Sequence, residues 1–380
     1  MNKTDVLFIS PTQFGYATDL YNYVKYLNCK KDINVKVICK YQHKKLIELP
    51  TNVISAYQFK GNNIITKFIN YILFVLYILY YSLTYRPSKI FISYMMGFKP
   101  IVILLKKIGF YVIGDVRSVP IIDDYYTYNK KKDTIKKNLE ICDEITTISN
   151  DVAKELKLQK FKIIPLGGDY RRDKKNKNTN YYDQVELSIL YLGTLENRSI
   201  ENFIRGFEKF QYELDDSERS KVVFNIVGKY EDDDKQLIFN KFIESLNKKN
   251  IHINYHGAKY TDQLDYFFEN NQVGVSFIPQ LDYYDLQPPT KTYEYLTNSL
   301  YCIATNTSSN REILNGLSEE LYSIIKNYQD IVEIKQILKK IYLDRKKIKY
   351  NHLNNHNLKI VPKKYHWEHV VSDCLVPIIK

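Results

Sequence analysis

The chain alternates short, nearly uninterrupted apolar runs with segments of helical periodicity, and it does so in two successive series. The first series holds Val6-Leu7-Phe8-Ile9, Val35-Lys36-Val37-Ile38-Cys39, Ile90-Phe91-Ile92, Val112-Ile113-Gly114, Ile145-Thr146-Thr147-Ile148 and Ile163-Ile164. Strands covered on both faces lose the polar–apolar alternation, so runs of this kind predict a parallel sheet. Between them lie predicted helices: one carrying Leu20, Val24 and Leu27, a short one over residues 101–105, and a basic one over 133–142. Ser149 or Asn150 is positioned to cap a further helix. Residues 170–183 are polar and contain no aliphatic side chain, which marks a domain boundary. The alternation then restarts with strands expected at 188–193, 222–228, 251–255, 273–279 and 300–304, and helices at 200–212, 234–246, 261–270 and 291–297. An α/β protein of two doubly wound domains follows.

Length and composition agree, since 380 residues suit two domains of about 150–200 each. At 44% hydrophobic and 26% charged, the chain can build a sizeable core and is no membrane bundle. Its five cysteines are scattered without a CxxC pair, which argues against a disulfide framework or zinc site and fits a reducing cytosol. The apolar run after Asp5 is too short for a signal peptide.

One segment tests that picture. Residues 68–85 carry no charge, a length at the lower edge of a spanning helix. Asn70, Ser82 and tyrosines spread along the run speak against a span and for a buried or membrane-surface helix. The formal charge of +12 sharpens the point: residues 1–168 hold 25 Lys and Arg against 13 Asp and Glu, whereas the rest is neutral. No acidic residue lies between Glu48 and Asp115, while Lys60, Lys67, Arg86, Lys89, Lys99, Lys106 and Lys107 do. Basic residues around an apolar helix predict docking on an anionic membrane surface. No nucleic-acid-binding motif accompanies the charge, so no nucleic-acid partner is expected.

Three strands of the second series end in glycine: Gly193, Gly228 and Gly257. At the carboxyl edge of a parallel sheet, glycine lets backbone amides approach a ligand, and a following helix start favours its phosphates. None forms GxGxxG, so a dehydrogenase fingerprint is absent. Pro288-Pro289-Thr290-Lys291-Thr292-Tyr293-Glu294 sets a rigid turn before a helix, with Lys291 and Glu294 three apart on one face. Read alone, these two make a surface ion pair. A lysine there can also meet a phosphate, and the glutamate a ribose diol. Asp232-Asp233-Asp234 reads as the solvated acidic start of a helix rather than a metal motif.

The ordered set resembles family 4 of the GT-B glycosyltransferases, the "glycosyl transferases group 1" class. Its carriers are Leu190-Tyr191-Leu192-Gly193-Thr194, Ile226-Val227-Gly228, Tyr255-His256-Gly257, Pro289 through Leu296, and Ile303-Ala304-Thr305. Ile145 to Ser149, Ile163 to Asp169 and His366-Trp367-Glu368 resemble the family's motifs upstream and downstream. The resemblance implies two Rossmann-like domains facing a cleft, with a C-terminal helix crossing back to the first. It places an acceptor, membrane-facing domain at 1–168 plus 362–380, a linker at 169–186, and a nucleotide-sugar domain at 187–361.

It also implies site residues. Glu294 matches the second glutamate of the family's E-x7-E motif and would bind the donor ribose. Leu286 stands where the first belongs, with Asp282 or Asp285 as replacements. The family's basic pair is reduced: Thr194 takes its first position, Arg198 is the nearest charge, and Lys291 would compensate. Gly15, Gly193, Thr194, Gly228, Lys229, Gly257, Pro289 and Thr290 would approach the donor. Asp115 and Arg117 are the polar cleft candidates of the first domain.

The expected activity is metal-independent, cofactor-free, retaining transfer of a sugar from a nucleotide diphosphate to a lipid-linked saccharide or other glycan. Such chemistry belongs to capsule, exopolysaccharide or lipopolysaccharide assembly, at the inner face of the plasma membrane. The alternatives are an epimerase-like GT-B enzyme and a non-catalytic nucleotide-sugar-binding homologue.

Overall fold

A computed structural model describes residues 4–43, 50–61, 63–122, 124–171, 185–259, 263–354, 359 and 361–380. They divide into two compact units: Met1–Leu166 with Trp367–Lys380, and Gly167–His366. Most of the expected linker, residues 172–184, lies outside the described residues.

The first unit runs β1 (Thr4–Ser10), α1 (Thr18–Leu27), β2 (Ile33–Lys40), β3 (Val53–Ala56), α2 (Ile64–Tyr85), β4 (Lys89–Ser93), α3 (Phe98–Ile108), β5 (Val112–Val116), α4 (Tyr125–Leu139), β6 (Glu144–Thr147), α5 (Asn150–Glu155) and β7 (Lys162–Ile163). Its sheet has the order β3-β2-β1-β4-β5-β6-β7, parallel throughout. Central strands are the apolar runs read from sequence. Edge strand β3 was not expected, because only Val53 and Ala56 of its four residues are buried and no run marks it.

Helix limits follow local chemistry. Gly97 and Gly109, at φ +76° and +101°, bound α3, which is therefore longer than the apolar 101–105 stretch that announced it. Asp124 accepts from the Thr127 amide and starts α4 well before the expected residue 133. Ser149 caps α5 as expected. The C-terminal residues Trp367–Lys380 belong to this unit. Trp367 is fully buried, edge-on to Tyr23 at 5.9 Å between ring centres, and Lys89 Nζ donates to the Ile378 carbonyl at 2.6 Å.

In the second unit β8 (Leu187–Leu192), α6 (Ile200–Gln211), β9 (Val222–Val227), α7 (Asp233–Asn247), β10 (Ile253–Tyr255), β11 (Val273–Ser276), α8 (Thr290–Thr297), β12 (Tyr301–Thr305), α9 (Ser308–Leu314), β13 (Tyr322–Ile325) and α10 (Ile331–Leu343) follow in order. The sheet is again parallel, β10-β9-β8-β11-β12-β13. Edge strand β13 was also unforeseen; of its residues only Ile325 is buried. Phe203 and Phe207 of α6 pack on Phe224 of β9 at 5.2 and 5.5 Å, the centre of a continuous aromatic core.

Gly228 has a tighter reason to be glycine than ligand approach. A Cβ there would stand 1.8 Å from the Gly193 carbonyl oxygen, and its φ is +156°. The two strand-end turns thus rest on each other. Gly228→Ala is expected to cost about 2–4 kcal/mol by overpacking and backbone strain, read as a lower urea midpoint; an unchanged midpoint would mean that the turns are separable.

Candidate active site

In the second unit the strand order reverses between β8 and β11, so the loops leaving these neighbours diverge and leave a crevice at their carboxyl ends. A cavity of about 290 Å³ sits there. The loop after β8 is strained: Asn197 and Ser199 both take left-handed backbone, φ +55° and +51°, on either side of Arg198. The Arg198 guanidinium lies over the Tyr284 ring at 4.3 Å, and its Nη1 is buried with no protein partner among the described residues. Gln287 Nε2 in the same wall is likewise buried without a partner. Opposite, α8 begins at Thr290 behind Pro289, which offers no side-chain cap; the Thr292 amide donates to the Pro289 carbonyl at 3.2 Å, and no side chain caps the amides of Thr290 and Lys291 among the described residues. Lys291 completes the wall. Apart from hydroxyls and backbone, the polar side chains of this cavity are thus Arg198, Gln287 and Lys291, two cations and an amide with a buried N–H group, beside the positive end of a helix.

The cavity gathers Gly193, Thr194, Arg198, Pro289, Thr290 and Lys291 of the residues expected at the donor. Glu294 lies beneath them: 3% exposed, it receives Lys291 Nζ at 2.5 Å. The ion pair and the site reading therefore describe the same two side chains. Gly228, Lys229 and Gly257 stand behind the wall in the backbone lattice. Gly228 N donates to Gly257 O at 2.9 Å, and Leu195 N to Lys229 O at 3.2 Å.

The two aspartates named as replacements for the missing glutamate are not part of the lining. Asp285 is turned to α9, accepting from the Ser308 amide at 2.8 Å and from its hydroxyl, and Asp282 is exposed. Tyr284 and Gln287 were missed. The only trace of them in the sequence was their place in the loop before the Pro-Pro turn.

Gly15, Asp115 and Arg117 belong to the first unit. Gly15, at φ +90°, forms the turn in which Tyr16 N donates to Gln13 O at 3.1 Å, in the loop after β1. Asp115 ends up 2% exposed, accepting from Thr146 Oγ1 at 2.7 Å with Arg117 Nη1 3.7 Å away. Arg117 Nε donates to Asp19 at 2.8 Å and Nη1 to the Ile164 carbonyl at 2.6 Å. The two charges therefore tie β5, β6, α1 and the chain after β7 together. Burial, opposed by Arg117 and reinforced by Asp19, raises the Asp115 carboxyl to about 6.

No family model and no curated protein matches the chain. Solved structures do. A sucrose-phosphate synthase from Thermosynechococcus elongatus superposes with a TM-score of 0.70 at 13% identity, covering 97% of each chain. A glycosyltransferase from Rickettsia africae gives 0.69 at 13% identity, over 100% of this chain and 98% of that one. A trehalose-6-phosphate structure from E. coli bound with UDP-2-fluoro glucose gives 0.62 at 11% identity, over 98% of both. At such identities the likeness is one of fold. The architecture expected from sequence, two Rossmann-like α/β domains of the GT-B kind, is the one found.

The raised Asp115 fixes a sign for pH dependence. A carboxyl whose folded pKa lies above its unfolded value of 3.8 favours the fold when protonated, and that contribution is lost as pH rises through about 6. Asp115→Asn, which keeps an acceptor for Thr146 without the buried charge, should therefore gain stability relative to the parent between pH 4 and pH 7, by up to about 3 kcal/mol. Urea denaturation at both pH values checks this, and a difference independent of pH would contradict it.

Proposed function

We propose that the chain is a glycosyltransferase in which the second unit binds a nucleotide-diphosphate sugar and the first serves the acceptor. The observation that carries this is the convergence of Arg198, Gln287, Lys291 and an uncapped helix start at the switch point between β8 and β11. A diphosphate is the ligand class whose charge and acceptor oxygens answer such a set. The fold-mate bound with UDP-2-fluoro glucose supports the same donor class.

In this reading Arg198 and Lys291 hold the charge that grows on the leaving diphosphate, and the amides near Gly193 and Thr290 assist. Lys291 swings from Glu294 to the phosphates, which frees the glutamate for the ribose hydroxyls. The anomeric carbon–phosphate oxygen bond breaks while the acceptor oxygen bonds to that carbon from the same face. The acceptor proton passes to the departing phosphate oxygen, so configuration is retained and no protein nucleophile is needed. Asp285, committed to Ser308, supports that absence of a carboxylate nucleophile. The acceptor is a lipid-linked glycan handled at the cytoplasmic face of the plasma membrane, in assembly of a cell-surface polysaccharide such as capsule or lipopolysaccharide.

One observation favours a second reading, a nucleotide-sugar-binding homologue without turnover. Leu286 occupies the position of the first motif glutamate, and neither nearby aspartate lines the cavity. Calorimetric titration with UDP, GDP and ADP, followed by donor hydrolysis and transfer assays, separates the two. Under the leading reading Arg198→Ala and Lys291→Ala each lower turnover by about 10²-fold or more, and Glu294→Ala weakens nucleotide binding. Binding that disappears in Arg198→Ala while the parent turns over no donor would establish the second. Diphosphate binding that survives both cation substitutions would refute the site itself.

A further inference from the structure

Helix α2 is apolar on both sides, and only one side is accounted for. Phe74, Ile78 and Ser82 are buried toward the sheet, and Tyr71 Oη donates to the Gly97 carbonyl at 3.1 Å. At 100° per residue, Ile65, Phe68, Ile72, Leu76 and Leu83 fall in one stripe on the opposite side, each 41–68% exposed. A helix on the surface of a soluble domain normally turns charges outward. Over all 22 residues of α2, Lys67 is the only charged side chain.

The surroundings extend the stripe. Asn70, the polar residue that interrupts the apolar run, spends its amide on the backbone of Phe59, bonding its N–H at 2.7 Å and its carbonyl at 2.9 Å. Phe59, half exposed, is thereby pinned beside the helix with Tyr57 edge-on to it at 5.2 Å. Right-handed crossovers place α3 on the same face of the sheet as α2. Its outer residues Ile103, Leu104 and Ile108 are exposed, interspersed with exposed Lys99 and Lys107.

We propose that this face docks the first unit on an anionic bilayer, with α2 lying in the plane of the interface along its length. Charge complementarity selects the occupant. The sequence from residue 49 to 114 contributes no carboxylate, so Lys60, Lys67, Lys99 and Lys107, all exposed, are not offset by any acid in this stretch. Apolar side chains enter the acyl boundary while the lysines meet anionic headgroups. The in-plane orientation follows from the buried side, because a helix crossing the bilayer would have to abandon the packing of Phe74 and Ile78.

The inference deepens the membrane-side acceptor proposed above, yet it rests on the first unit alone and on no catalytic step. Its experiment reads vesicle binding of the full chain, apart from transfer. Vesicles of phosphatidylcholine with phosphatidylglycerol and of phosphatidylcholine alone are sedimented with the parent, with Ile72→Glu/Leu76→Glu and with Lys99→Gln/Lys107→Gln. The parent is expected to bind anionic vesicles at least tenfold better than neutral ones and to be released by alkaline carbonate. The glutamate pair should lose at least tenfold of that binding, and the glutamine pair should lose the preference for anionic lipid. Unchanged nucleotide affinity and melting temperature check that the variants remain folded.

A parent that stays in the supernatant, or glutamate variants that bind like it, would overturn the proposal. So would resistance to alkaline extraction, which would mean that α2 spans the bilayer. A parent dimer in sedimentation velocity that the glutamate pair makes monomeric, without vesicle binding, would assign the face to a second copy instead. Vesicle binding without glycosyl transfer would leave the docking standing and count against the function proposed for the second unit.

Discussion

A parallel strand cannot return to its neighbour without a crossover, so every strand of a parallel sheet ends at the same edge and delivers its loop there. Both sheets of this protein obey that constraint, and much of the chemistry described for the chain stems from it. In the second unit the edge is interrupted once, where the order passes from β8 to β11. The crevice at that point requires only that two adjacent strands send their chains in opposite directions. The close contact between Gly228 and the Gly193 carbonyl makes the local geometry rigid, because a side chain at Gly228 would displace the turn that opens the site.

The site is an accumulation of unmet donors. Arg198 is carried between two left-handed residues and supported on the Tyr284 ring, Gln287 has a buried amide without a partner, and α8 starts without a side-chain cap. Each would weigh slightly against stability in isolation. Together they suit an anion more than they suit water. Glu294 offers the contrast: it is a buried carboxylate beneath the wall, paired with Lys291.

The first unit uses its charges differently. Asp115 and Arg117 stand at the carboxyl edge, as a cleft pair would, but their described partners are Thr146, Asp19 and the Ile164 carbonyl. They join strands and helix, while Arg117 Nη2 is buried with no hydrogen-bond partner among the described residues. Exposed Lys60, Lys67, Lys99 and Lys107 lie elsewhere, in the acid-free stretch around an apolar helix whose outer stripe no described residue covers. A net charge that taken alone would suit nucleic acid is, in three dimensions, the companion of an exposed apolar surface.

Much of the fold was legible because burial on both faces of a parallel strand imposes a short apolar run, which flanking turn residues set apart from the apolar runs of α2 and α3. Edge strands β3 and β13 escaped for the same reason, being short and half covered. Gly193, Pro289, Thr290 and Lys291 could be singled out from sequence because turns and helix starts write their own punctuation, and Thr194 through the resemblance alone. Tyr284 and Gln287 could not, since they matter only once the loop before α8 folds back against the loop after β8. Sequence by itself determined the alternation of elements, the two-part organisation and the concentration of positive charge in the first part, all of which follow from local pattern and composition. Tertiary structure alone decided that Asp115 is buried, that Asp285 is spent on α9, and that one side of α2 stays open. Burial and partnership are properties of which segments meet, and a linear pattern does not carry them.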